Sequence, residues 1–149
     1  MNGPMAIPAN DTMAPMNSTL DPVTDPLVMT SQTWLRICDL EDIVPNTGVC
    51  ALVGQRQIAL VRVGESSDVF AISNFDPFSK AFVLSRGIVG DRQGVPKIAS
   101  PIYKQNFDLR TGICLDDPSV TLPTYPVRLV RRDGNIDVEI QIAAPSEAE

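Results

Sequence analysis

The hydrophobic period of this chain restricts its fold more than any other feature. Residues 125–131 (Tyr-Pro-Val-Arg-Leu-Val-Arg) and 135–142 (Asn-Ile-Asp-Val-Glu-Ile-Gln-Ile) alternate apolar and polar side chains, as a half-buried strand does. Between them, Arg132-Asp133-Gly134-Asn135 supplies an Asp-Gly turn, a strong hairpin signal. Upstream, Trp34-Leu35-Arg36-Ile37-Cys38 reads as an opening strand, followed by a polar connection and a Pro45-Asn46-Thr47-Gly48 turn cluster. Residues 49–53 and 57–63 read as a hairpin about Gly54-Gln55-Arg56, and residues 69–73 as a further strand. Apolar spacing of three and four never persists for about a dozen residues, the length a marginal helix needs, and 13 prolines interrupt the longer stretches. The pattern predicts an all-β antiparallel sandwich or barrel with little helix.

At 149 residues, 44% of them hydrophobic, the chain is sized for one domain. The β domain is expected over residues 31–142. Residues 1–30 hold five of the prolines, no aromatic and no basic residue, and read as a disordered tail; residues 143–149 read as a frayed end. No apolar run approaches the roughly 18 residues of a membrane span, and the N-terminus lacks the basic and apolar regions of a secretory signal, so a cytoplasmic protein is expected.

The formal charge is −6, but Asp11, Asp21, Asp25, Glu147 and Glu149 lie in the two ends, leaving 13 acids against 12 basic residues between them. No basic cluster predicts nucleic-acid binding. Arg131-Arg132 reads as a solvated hairpin end. Cys38, Cys50 and Cys114 are odd in number and widely spaced, which suits reduced, buried, apolar side chains. There is no histidine at all. That excludes Ser-His-Asp and Cys-His catalysis and the usual zinc sets. Asp116-Asp117-Pro118 reads as a turn capped by Asp, and the glycines at 87, 90 and 94 do not form a nucleotide-binding GxGxxG loop.

Two proline loops remain, Asn74-Phe75-Asp76-Pro77-Phe78 and Ser100-Pro101-Ile102-Tyr103, the second followed by Gln105-Asn106-Phe107-Asp108-Leu109-Arg110-Thr111-Gly112. With the Trp34 strand, the meander to Asn74 and the closing hairpin, this order resembles the Rieske iron–sulfur domain along roughly residues 33–142. Within that family the strings at residues 72–79, 84–91, 99–105 and 112–118 are most similar to the small subunit of assimilatory NAD(P)H-dependent nitrite reductase. The resemblance implies a Rieske-like fold with these two loops in place of the cluster-binding ones.

Rieske loops read Cys-Pro-His and Cys-x-x-His, two thiolates on one iron and two imidazoles on the other. The matching positions here are Asp76, Phe78, Ser100 and Tyr103, none of them such a ligand. The resemblance therefore implies a chain without metal, cofactor or catalytic residue of its own, serving a large subunit that carries FAD, siroheme and a [4Fe–4S] cluster in the reduction of nitrite to ammonium. Phe78 and Tyr103 are expected to pack where the cluster would sit, or to form the contact with that partner. Arg86, Lys97 and Lys104 flank the loops and read as solvated, with an acidic partner surface as the alternative. Two other readings stay open: a Rieske-type ferredoxin using unusual ligands, and a free-standing protein-binding module.

Overall fold

A computed structural model describes residues 32–143. By contacts the chain divides into two units, residues 1–34 with 142–149, and residues 35–141. The first is described only at the ends of two strands, and the second holds the rest of the described structure. The tail expected over residues 1–30, and all but the first residue of the expected frayed end, lie outside the described residues.

The fold is nearly all β, as the alternation predicts. Among the described residues, twelve strands run β1 (Gln32–Asp39), β2 (Thr47–Val53), β3 (Arg56–Val63), β4 (Asp68–Ser73), β5 (Phe75–Asp76), β6 (Ala81–Phe82), β7 (Ile88–Arg92), β8 (Val95–Ala99), β9 (Asn106–Asp108), β10 (Thr124–Tyr125), β11 (Val127–Arg132) and β12 (Asn135–Ala143). Single 3₁₀ turns stand at Leu40–Asp42 and Leu84–Arg86. The strands form four sheets, ordered β1-β12-β11, β10-β4-β3-β2, β5-β6 and β7-β8-β9. No helix among the described residues is long and apolar enough to cross a membrane.

β3 lies inside its sheet and is buried on both faces. Ala59 and Val61 join Ile72, Leu84, Ile98, Phe107, Leu109, Cys114 and Leu122 in one apolar cluster, while Ile58 and Leu60 are fully buried on the opposite face. The turns follow their local chemistry. Asp133 (φ 50) and Gly134 (φ 84) are both left-handed, as a two-residue turn matching the strand twist requires. β2 and β3 meet through Gly54-Gln55, with Gly54 at φ 61.

Three features depart from the sequence reading. The β7–β8 hairpin, turning at Gln93 (φ 53) and Gly94 (φ 88), had no strand expectation, because Gly90 and Pro96 break the apolar alternation on either side. Only Cys114 is buried; Cys38 is half-buried and Cys50 is exposed on edge strand β2. Arg132 is not simply solvated at the hairpin end. Its Nε lies 2.9 Å from Asp137 and its Nη2 3.0 Å from Glu139, and Arg36 and Arg128 bind the same two carboxylates.

Gly87 positions the second loop. A Cβ there would overlap the carbonyl oxygen of Ala99, one residue before Ser100, and would come within 2.9 Å of Ile98. Gly87→Ala is therefore expected to destabilise the fold by about 2–3 kcal/mol through overpacking. By contrast, Gly94→Ala meets nothing within 4 Å and has only its left-handed φ to overcome, about 1 kcal/mol. Urea denaturation of both variants measures the difference.

Candidate functional site

The two proline loops share one construction. Each begins with a side-chain oxygen that accepts the N–H two residues on: Phe78 N to Asp76 Oδ1 at 2.9 Å, and Ile102 N to Ser100 Oγ at 3.2 Å. Short polar side chains capture their own backbone in this way, and the intervening proline needs no donor partner. Each loop closes when the N–H of its fifth residue donates to the carbonyl of its first, Lys80 to Asp76 at 2.7 Å and Lys104 to Ser100 at 3.1 Å. Both lysines are left-handed, at φ 63 and 68. The β5–β6 pair, Phe75 with Phe82 and Asp76 with Ala81, anchors the first loop. Ser100 N donating to Gln105 O at 2.9 Å anchors the second.

These loops meet through their first residues. Ser100 Oγ donates to Asp76 Oδ2 at 2.5 Å across 24 residues of sequence, and both residues are fully buried. Ser79 Oγ adds a second donor to the same oxygen at 2.8 Å. Burial alone would push the Asp76 carboxyl up. The hydroxyls of Ser100 and Ser79 and the backbone N–H groups of Phe78 and Ser79 together outweigh it, and the net shift is below the ordinary carboxylate value.

Of the four positions singled out in the sequence, the fold thus brings together Asp76 and Ser100. Phe78 is half-buried and turned onto the core, its ring 6.2 Å from that of Phe107. Tyr103 is 60% exposed and fills no interior space, so an aromatic plug spanning both loops is not what joins them. A hydrogen bond joins them. Sequence reasoning missed Ser79 and Lys80 and read Lys104 only as a flanking cation, although an Asp with Ser three residues on is itself a local turn signal.

A [2Fe–2S] cluster does not fit this set. It needs thiolates or imidazoles. Here one position is a carboxylate already engaged with side-chain and backbone donors, one is a hydroxyl whose proton is already given to that carboxylate, one is a benzene ring and one an exposed phenol. Among the described residues, no three His, Cys, Asp or Glu side chains are grouped to hold a metal ion. Grooves of about 430 and 540 Å³ lie elsewhere, one walled by β1 and β2, the other by residues of β4, β10 and β11.

What the loops do present is surface. Phe82 is exposed beside the first loop, Ile88 beside the second, and Ile102 and Tyr103 on the second itself. Phe82 packs tilted against Phe75 with ring centroids 5.1 Å apart, and Ile88 faces Ala99 across the β7–β8 ladder.

Residues 33–139 match the family model described as a Rieske-like [2Fe-2S] domain. The chain is similar to the nitrite reductase (NADH) small subunit of Salmonella typhimurium, 46% identical over 105 residues that cover 70% of this chain and 95% of that protein. Among solved structures it resembles the nitrite reductase [NAD(P)H] small subunit from Erwinia carotovora, with a TM-score of 0.63, 46% identity, and coverage of 78% of this chain and 86% of that one. It is also 43% identical over 119 residues to a protein of Klebsiella oxytoca named nitrite reductase [NAD(P)H] large subunit, a stretch covering 79% of this chain but only 12% of that far longer one.

If the Asp76–Ser100 bond holds the loops, Asp76→Asn and Ser100→Ala each cost about 1–3 kcal/mol, because each leaves a buried polar group short of a partner. In a double-mutant cycle the two losses are expected to be non-additive by at least about 0.5 kcal/mol. The sign with pH follows from the depressed carboxyl. Its contribution is complete above the unfolded-state value near 4 and disappears as pH falls through the lower folded value. Asp108 and Asp116 are shifted in the same direction, so Asp76→Asn should remove only part of the acid sensitivity. Denaturation midpoints at pH 7 and pH 3 measure both effects.

Proposed function

Because the chain belongs to the Rieske-like [2Fe-2S] domain family and, within it, to the nitrite reductase small subunits, we propose that it is the cluster-free, non-catalytic small subunit of an assimilatory NAD(P)H nitrite reductase. Its partner is the large subunit, where electrons pass from NAD(P)H through FAD, an iron–sulfur centre and siroheme to nitrite in the cytoplasm. The observation that carries this reading is the Klebsiella oxytoca protein, in which a stretch similar to four-fifths of this chain is one part of a polypeptide named as the large subunit. A domain found free in one case and joined to a larger chain in another is supported as a physical partner of that chain.

The site chemistry supports the same division of labour. Electron transfer needs a redox group, and the four loop positions offer nothing that holds one. The chain's contribution is then to the stability, orientation or access of the large subunit. Of the two aromatic contacts read from the sequence, Tyr103 offers an accessible ring and Phe78 only the part not packed on Phe107.

Co-expression with the large subunit tests this. The two chains should co-elute as a complex, and nitrite-dependent NAD(P)H oxidation by the large subunit should gain rate or half-life when the small chain is present. The isolated chain should be colourless and free of iron and acid-labile sulfide. Stoichiometric iron and sulfide would make it an electron carrier instead. A large subunit unaffected in both rate and half-life would remove the assigned role.

A further inference from the structure

The cations of this domain are unevenly distributed among its segments. Residues 74–90 and 99–105, which build the two loops and their flanks, carry Lys80, Arg86 and Lys104 and a single acid, Asp76. All three cations are exposed and none takes part in an ion pair among the described residues, whereas Asp76 is fully buried and engaged with Ser100, Ser79 and Phe78. The rest of residues 32–143 holds nine cations against twelve acids, and Arg36, Arg92, Arg110, Arg128 and Arg132 there are each paired with a carboxylate. The segments that build the loop end thus carry three exposed cations and no exposed acid, and the exposed carboxylate that the fold brings beside them, Asp116 bonded to Asn106, is itself paired with Arg92.

The same end carries the exposed apolar side chains Phe82, Ile88, Ile102 and Tyr103. Backbone pairing and the loop cross-link hold them near one another. Phe82 pairs with Phe75 beside Asp76, Ile88 pairs with Ala99 beside Ser100, and the Asp76–Ser100 bond joins the two sides. Gly87 packs against Ala99, which keeps Arg86 at the same edge. Apolar and aromatic anchors amid unpaired cations are the composition of a docking patch rather than of a solvated surface.

Resting on the partnership with a large subunit, we propose that this loop end is the docking face for that subunit, and that it meets an acidic surface there surrounding an apolar depression. Ile102 and Tyr103 anchor, being the exposed pair on a loop fixed at both ends. Lys80, Arg86 and Lys104 steer the encounter. Charges at a rim act mainly on the association rate and buried anchors on dissociation, so the two sets are separable by kinetics.

The test uses the full 149-residue chain and the purified large subunit, with binding followed in real time at low and high salt. A Lys80→Glu/Arg86→Glu/Lys104→Glu variant should associate at least about tenfold more slowly at low salt and lose most of the salt dependence. Ile102→Ala/Tyr103→Ala should associate normally and dissociate at least about tenfold faster. Arg131→Glu, an exposed cation on the β11–β12 hairpin, which belongs to a different sheet from those carrying the loops, should stay within about twofold of the unaltered chain. Lys→Gln and Arg→Gln replacements at the three positions give a milder version if charge reversal impairs folding, which circular dichroism checks. Unaltered binding by both loop variants overturns the docking face while leaving the partnership standing. Absence of any binding by the unaltered chain overturns both. Self-association abolished by the loop variants would assign the face to a second copy and also overturn the proposal.

Discussion

Everything at the loop end depends on one buried hydrogen bond, Ser100 to Asp76. A lone carboxylate moved into a protein interior loses several kcal/mol of hydration. Asp76 tolerates full burial because its two oxygens take the Ser100 and Ser79 hydroxyls and the Phe78 N–H. Charge-assisted bonds of this kind contribute about 1.5–3 kcal/mol each, enough in number to offset the desolvation. The cross-link also has the right ends. It joins the first residue of one loop to the first residue of the other, which is where the family resemblance places a cluster's two thiolates. A bond between protein atoms thereby takes over what a metal cluster does for the architecture, without what it does for electrons.

The sheets beneath explain why the loops can be held so economically. β3 is buried on both faces and fixes β4, which leads into Asn74; that residue is itself almost fully buried. Its side chain accepts from Ser85 N at 2.7 Å and donates to Gln57 at 3.2 Å, tying the first loop to the 3₁₀ turn and to β3. Arg62 does similar work at the far end of β3, its guanidinium donating to the carbonyls of Ile43 and Ser66 at 3.0 Å. Polar side chains deep in this fold are there to hold backbone, and each of these has its partners. On β12 the same logic runs outward: Val138 and Ile140 face the core, while Asp137 and Glu139 are covered by the stems of half-exposed arginines.

How much of this was legible beforehand depends on the range of the interactions involved. Alternation and an Asp-Gly pair are local, so β11, β12 and their turn could be read directly, as could the β2–β3 hairpin. The β7–β8 hairpin could not, since Pro96 and Gly90 sit inside its strands and their cross-strand pairing is what rescues them. Side-chain fates decided by distant partners were likewise hidden. Nothing local tells that Arg132 meets Asp137 and Glu139, that Cys50 falls on an outward face of an edge strand, or that Asp76 finds Ser100 rather than solvent. The loop positions themselves were visible only through the family resemblance. Their identities said what they could not bind, and geometry was needed to say what they do instead.

Losing the cluster also changes the electrostatics of the loop end. A bound iron–sulfur cluster changes its charge with every electron, and a contact made around it would strengthen and weaken with redox state. The Asp76 carboxyl is buried and held below the ordinary carboxylate range, so it keeps one fixed negative charge at any pH well above about 4, stabilised by its own neutral donors. The charges presented at the surface are then Lys80, Arg86 and Lys104, and they do not respond to electron flow. A face of constant charge and fixed shape suits an attachment that persists while a neighbour turns over, where a carrier must bind and release. At the loop positions that the family resemblance picks out, a hydrogen bond where a cluster would sit therefore favours a resident subunit over a shuttle on physical grounds.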